Sequence, residues 1–125
     1  PWTDLTRSGA SHATRLGIDP MLTSTDLDFM AANYLAGHDA TDPLASPLGA
    51  DLTGLPPLRI DVGDAEVLLD DSVVLAERVR AAGGSVELTV WPEMIHVFPA
   101  FPAELVPEAA ECQAQAGAFL ARHLV

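Results

Sequence analysis

The 125-residue chain has no lysine and a single cysteine, and aromatic residues make up only 6% of it. Six arginines face 18 acidic residues, for a formal charge of −12 at pH 7. Tracking a phosphate backbone takes clustered cations, so no nucleic-acid partner is expected. The acidic excess reads as solvated surface and carries no functional claim. One cysteine, Cys112, excludes an intrachain disulfide and a cysteine-based zinc cage within one copy. Its setting, "AAECQAQAGAFL", is that of a small buried helix residue. No apolar run approaches the length of a membrane span, and the opening "PWTDLTRSG" lacks the charged-then-apolar plan of a signal peptide. A cytoplasmic location is the default expectation.

What is present points to a globular chain. Hydrophobic residues make up 49% of it, and ten prolines punctuate periodic segments. The length suits one domain, or a piece of one. "TSTDLDFMAANYLAG" reads as a helix capped by Ser24 or Thr25, with apolar Leu27, Met30, Ala31, Tyr34 and Leu35 at helical spacing and Gly37 at its stop. The Pro-, Gly- and Asp-rich "HDATDPLASPLGADLTGLPP" reads as an ordered loop with short turns.

Two segments alternate as strands with one polar side. "LRIDVG" spans 58–63 and "VELTVW" spans 86–91. Between them "DDSVVLAERVRAAGG" reads as a helix, with Asp70 and Asp71 favouring its N-terminus and Gly83 or Gly84 closing it. The expectation is an α/β fold whose last βαβ unit has parallel strands. A closing helix is expected from about Ala103 to Leu124, with Leu105, Ala109, Cys112, Ala116, Phe119 and Leu120 on one face. Two parallel strands leave both outer edges unpaired, so the sheet is expected to be incomplete. The chain, which opens without methionine, reads as part of one larger domain.

In an open parallel sheet, ligands lie outside the C-terminal strand ends. The loop after the first strand, "GDAEVLLDD", offers Asp64, Glu66, Asp70 and Asp71; the loop after the second, "PEMIHVF", offers His96. A carboxylate on one imidazole nitrogen fixes the tautomer and leaves the other nitrogen to take a proton from a nucleophile. The order of acid then histidine is that of α/β-hydrolases, where a serine precedes both. The same acids lack the alternation and central glycine of a calcium loop, so no metal or cofactor is expected. His12, His38 and His123 have no comparable setting and read as surface or helix-end residues.

The segments "PWTDLT", "DPMLT", "DPLASPL", "LPPLRIDVGDAEVLLDDS", "LAERVRAAG" and "VELTVWPEMIHVF" together resemble the C-terminal half of the hormone-sensitive-lipase-like esterases of the α/β-hydrolase fold. That family writes its triad acid as the first residue of an Asp-Pro-Leu-Arg-Asp type run. "EVLLD" matches it at Leu68 and Asp70, but has Glu66 where the aspartate stands. The resemblance therefore implies Glu66 as the triad acid, with Asp64 as the alternative and Asp70 as a helix cap. It implies His96, in "MIH", as the base. No Gly-x-Ser-x-Gly occurs, and no His-Gly-Gly-Gly segment. Nucleophile and oxyanion donors are thus implied to lie in an N-terminal half, and this portion alone is expected to be inactive. Ser46, in "ASPL", reads as structural. The implied reaction is hydrolysis of small uncharged acyl esters, since Met94, Ile95, Val97 and Phe98 are apolar. A different reading is a non-catalytic module that pairs with a partner or a second copy through an exposed sheet edge.

Overall fold

The computed structural model describes residues 1–124. Its helices are α1 (Ser11–Thr14), α2 (Ser24–Leu35), α3 (Leu69–Ala81) and α4 (Pro107–His123), and its strands are β1 (Leu58–Gly63) and β2 (Val86–Trp91). Single 3-10 turns occur at Pro47–Gly49 and Phe98–Ala100. The strands pair in parallel from Leu58 opposite Val86 to Gly63 opposite Trp91, with α3 as the crossover. Among the described residues this pair is the whole sheet.

Alternation along the strands sorts side chains onto two faces. Ile60 and Val62 are buried on one, where α3 contributes Ala76 and Val79. The other carries Arg59, Asp61, Glu87 and Trp91, and α4 lies over it. This polar side, expected at a sheet edge, is therefore covered and internally satisfied. Arg59 chelates Asp61 through Nε and Nη2 at 2.8 and 2.7 Å and donates to Gln115 of α4 at 2.7 Å. The Trp91 indole donates to Asp61 at 2.9 Å. A partly buried ion pair such as this one persists when its remaining hydrogen-bonding capacity is filled. Trp91, Phe98 and Cys112 form one apolar cluster here; Leu27, Val67 and Leu68 form another against Trp2 and Leu22.

Three helix ends differ from expectation. The cap of α2 is Thr23, whose hydroxyl accepts from the Asp26 amide at 3.2 Å while the Asp26 carboxylate takes the Thr23 amide at 3.2 Å. This reciprocal capping box outcompetes a cap at Ser24 or Thr25. Helix α4 starts at Pro107 rather than near Ala103, because a proline suits the first helical position and keeps Val106 before it out of the helical region. Leu105, outside the helix, is 74% exposed. Helix α3 has no side-chain cap at Leu68. Its N-terminus is served from far upstream instead: the Asp70 amide donates to the Ser11 hydroxyl at 3.0 Å, and the Ser11 amide donates to the Asp70 carboxylate at 2.9 Å.

The N-terminal segment, irregular before α1, is tied down by Asp71. Its carboxylate accepts from the amides of Thr3 and Asp4 at 2.7 and 2.9 Å and bonds His12 Nε2 at 2.9 Å. His12, expected at the surface or a helix end, lies in the short helix α1 and is buried, and its Nδ1 has no partner among the described residues. Nothing local in the sequence marks His12, because its partner lies 59 residues away. The next turn is built on Asp4. Burial pushes its carboxyl up, but hydrogen bonds from the Ser8 and Thr6 side chains and amides outweigh this and hold it below the usual range. Ser46 is structural: its hydroxyl accepts from the Leu5 amide and donates to the Ala40 carbonyl. No described helix is long and apolar enough to cross a membrane.

Candidate active site

The parallel pairing puts the C-terminal ends of β1 and β2 side by side, so the loops that leave them share one edge. Gly63 ends β1 where the β2 loop crosses it most closely. A Cβ at this position would lie 2.0 Å from the Met94 carbonyl oxygen, so no side chain fits. Around that crossing the loops are stitched together. The Asp64 and Ala65 amides donate to the carbonyls of Trp91 and Met94 at 3.0 and 3.1 Å. The Asp64 carboxylate takes the Glu93 amide at 2.7 Å.

Glu66 and His96 meet across this seam. His96 Nδ1 lies 2.7 Å from Glu66 Oε2. Glu66 Oε1 accepts the Gly63 amide at 2.8 Å, so both carboxylate oxygens are engaged. Glu66 is 4% exposed, whereas the His96 side chain is 24% exposed. Nδ1 is the ring nitrogen that faces the carboxylate, and Nε2 has no hydrogen-bond partner among the described residues. Val97 follows with φ of 52°, a left-handed conformation costly for a β-branched residue. That strain sits where the chain reverses after the histidine.

The other acids of the loop do different work. Asp64 orders the β2 loop, Asp70 is tied to Ser11, and Asp71 anchors the N-terminal segment. No group of three or more metal-ligating side chains occurs among the described residues. Of the apolar residues near His96, Phe98 is 1% exposed and belongs to the core, with Met94 and Ile95 packed against its cluster. Of these four only Val97, at 46%, is exposed. The loop therefore offers less apolar surface than its composition suggests.

No described residue presents a nucleophile to His96. Cys112 is buried on α4, where burial, the Asp61 charge and a hydrogen bond to Asp61 push its thiol up to about 11, offset in part by Arg59. Such a thiol is inert at neutral pH. Sequence reasoning singled out Glu66 and His96 but missed Gly63, whose amide donates to Glu66 Oε1. A glycine closing a strand just before an acid-rich loop was the one available signal for Gly63.

Residues 1–100 match the alpha/beta hydrolase fold family. The chain is 49% identical over 120 residues to an acetyl-hydrolase of Streptomyces hygroscopicus, covering 96% of this chain and 40% of that protein. It is 39% identical over 110 residues to the carboxylesterase NlhH of Mycobacterium tuberculosis, covering 84% of this chain and 34% of that protein. Among solved structures, a hormone-sensitive lipase from a metagenome library superposes with a TM-score of 0.96 at 39% identity, over 100% of this chain and 42% of that one. An esterase from the bacterial hormone-sensitive lipase family superposes with a TM-score of 0.95 at 42% identity, with the same coverage. The chain thus spans less than half the length of these relatives.

Proposed function

Because the chain belongs to the alpha/beta hydrolase fold family, among its hormone-sensitive-lipase-like esterases, we propose that it supplies the acid and base of a carboxylic-ester hydrolase that works through an acyl-serine intermediate. The observation that carries the reading is the 2.7 Å contact of His96 Nδ1 with Glu66, which leaves Nε2 bare. In this reading Nε2 takes the proton of a serine hydroxyl as that oxygen attacks the ester carbonyl. Glu66 stabilises the imidazolium, and the same proton passes to the leaving alcohol. Water then repeats the cycle: His96 deprotonates it, it attacks the acyl-serine, and the serine recovers its proton.

The sequence contains no Gly-x-Ser-x-Gly, so the serine and the oxyanion donors come from residues outside these 125. Small acyl esters are the substrate class, in line with an acetyl-hydrolase and a carboxylesterase among the relatives. The test is hydrolysis of p-nitrophenyl butyrate by this chain and by a longer version that carries the upstream half. The expected result is activity in the longer protein only, reduced by about 10³-fold or more by His96→Ala. Turnover by this chain alone, with full-length contaminants excluded by mass spectrometry, would overturn the reading. A second reading, association through the sheet, is favoured by the unpaired edge of the two-stranded pair.

A further inference from the structure

Val67 follows Glu66 directly and is wholly buried. Buried peptide groups need partners, and at the entry to α3 the helix itself provides none for them. Two side chains from far upstream meet them. The Val67 amide donates to Asp19 Oδ2 at 3.0 Å, and the Val67 carbonyl accepts from the Ser11 hydroxyl at 2.7 Å. Both side chains are themselves held. Asp19 Oδ1 accepts the Met21 and Leu22 amides at 2.8 and 3.2 Å. Ser11 is locked to Asp70 in both directions. Asp19 is 6% exposed and Ser11 2%, and their two bonds to Val67 are buried. A carboxylate buried at this depth is costly unless hydrogen-bonded, and every donor to Asp19 is a backbone amide.

We propose that Asp19 and Ser11 are positioning residues for the Glu66–His96 pair. A glutamate has one more rotatable bond than the aspartate its place would otherwise hold, so its carboxylate needs restraint at both ends. The tip is tied by the Gly63 amide at Oε1. The root is tied by the clamp on Val67, which fixes the backbone from which the side chain departs. Together they hold Oε2 against Nδ1 and so select the His96 tautomer with a bare Nε2. The inference rests on the reading of Glu66 and His96 as acid and base.

The test measures that tautomer in the 15N-labelled chain by long-range 1H–15N spectra, at a pH where the imidazole is neutral. Wild-type His96 should carry its proton on Nδ1, and Glu66→Ala should release it toward Nε2. Asp19→Ala and Ser11→Ala should each shift the ratio at least half as far as Glu66→Ala, while Ser11→Thr, which keeps the hydroxyl, should hold the wild-type ratio. Phe119→Ala, a core truncation on α4, should destabilise the fold without moving the ratio. If Asp19→Ala does not fold, Asp19→Asn takes its place, since one amide oxygen cannot accept from both Val67 and the Met21–Leu22 turn. A wild-type ratio in the Asp19 and Ser11 variants, with Glu66→Ala shifted, would overturn the clamp alone. No shift in Glu66→Ala would overturn the acid–base pair itself, and the clamp with it. In the longer active protein, Asp19→Ala should lower kcat by about tenfold with KM unchanged, the pattern of a group felt in the transition state.

Discussion

At Gly63 a missing side chain determines whether the two loops can meet. The Met94 carbonyl occupies the space a Cβ would take, and the amides on either side of the crossing are already bonded across it. Gly63→Ala should therefore destabilise the fold by about 3 kcal/mol or more, as overpacking against backbone does. It should also push the β2 loop away from Glu66. A denaturation midpoint unchanged from wild type would contradict the close approach. Val97 is the complementary case, a bulky residue in a conformation that favours glycine, held there by the loop around it. Glu66 itself shows that an acid can be placed by its hydrogen bonds: with both oxygens engaged, the longer side chain reaches the histidine without slack.

Among the elements, α2 and α3 start by different means. Helix α2 carries its own capping box, Thr23 with Asp26, on an exposed surface. Thr23→Ala should cost about 1 kcal/mol in a denaturant melt, the usual cost of losing such a cap. Unaltered stability would mean that α2 frays independently of the rest. Helix α3 borrows its cap from Ser11, and its Asp71 gathers the N-terminal segment. The two helices also differ in what they bury. Of the apolar residues spaced along α2 only Leu27 is fully buried and Ala31 and Leu35 are half-buried, while Phe29 and Tyr34 are 69% and 68% exposed. Helical spacing marks a face that can be buried; it does not supply the partner that buries it.

For the molecule as a whole, an unpaired sheet edge and exposed apolar side chains on α2 and the following loop, including Leu44 at 90%, oppose a charge of −12. The two effects have opposite salt dependence. Screening weakens repulsion between like-charged copies and leaves apolar contact and strand pairing intact. Light scattering should therefore show association that grows with protein concentration and is strengthened by added salt. A monomer at all concentrations would count against the sheet-edge reading, and dissociation by salt would point to ionic contacts instead.

The strands, the crossover helix and the order of acid before histidine were legible in the sequence because each rests on local chemistry: alternation, helical spacing, and the residues that follow a strand end. The four acids after β1 were not separable that way, since all lie within eight residues and any could face the neighbouring loop. Parallel pairing in one register determined that Asp64 holds a loop, Asp70 and Asp71 hold the N-terminal segment, and Glu66 holds His96. The burial of His12, the borrowed cap of α3 and the clamp on Val67 likewise depend on partners 48 to 59 residues apart. Local pattern carries periodicity and turn chemistry; which distant donor meets which buried acceptor exists only once the chain has packed.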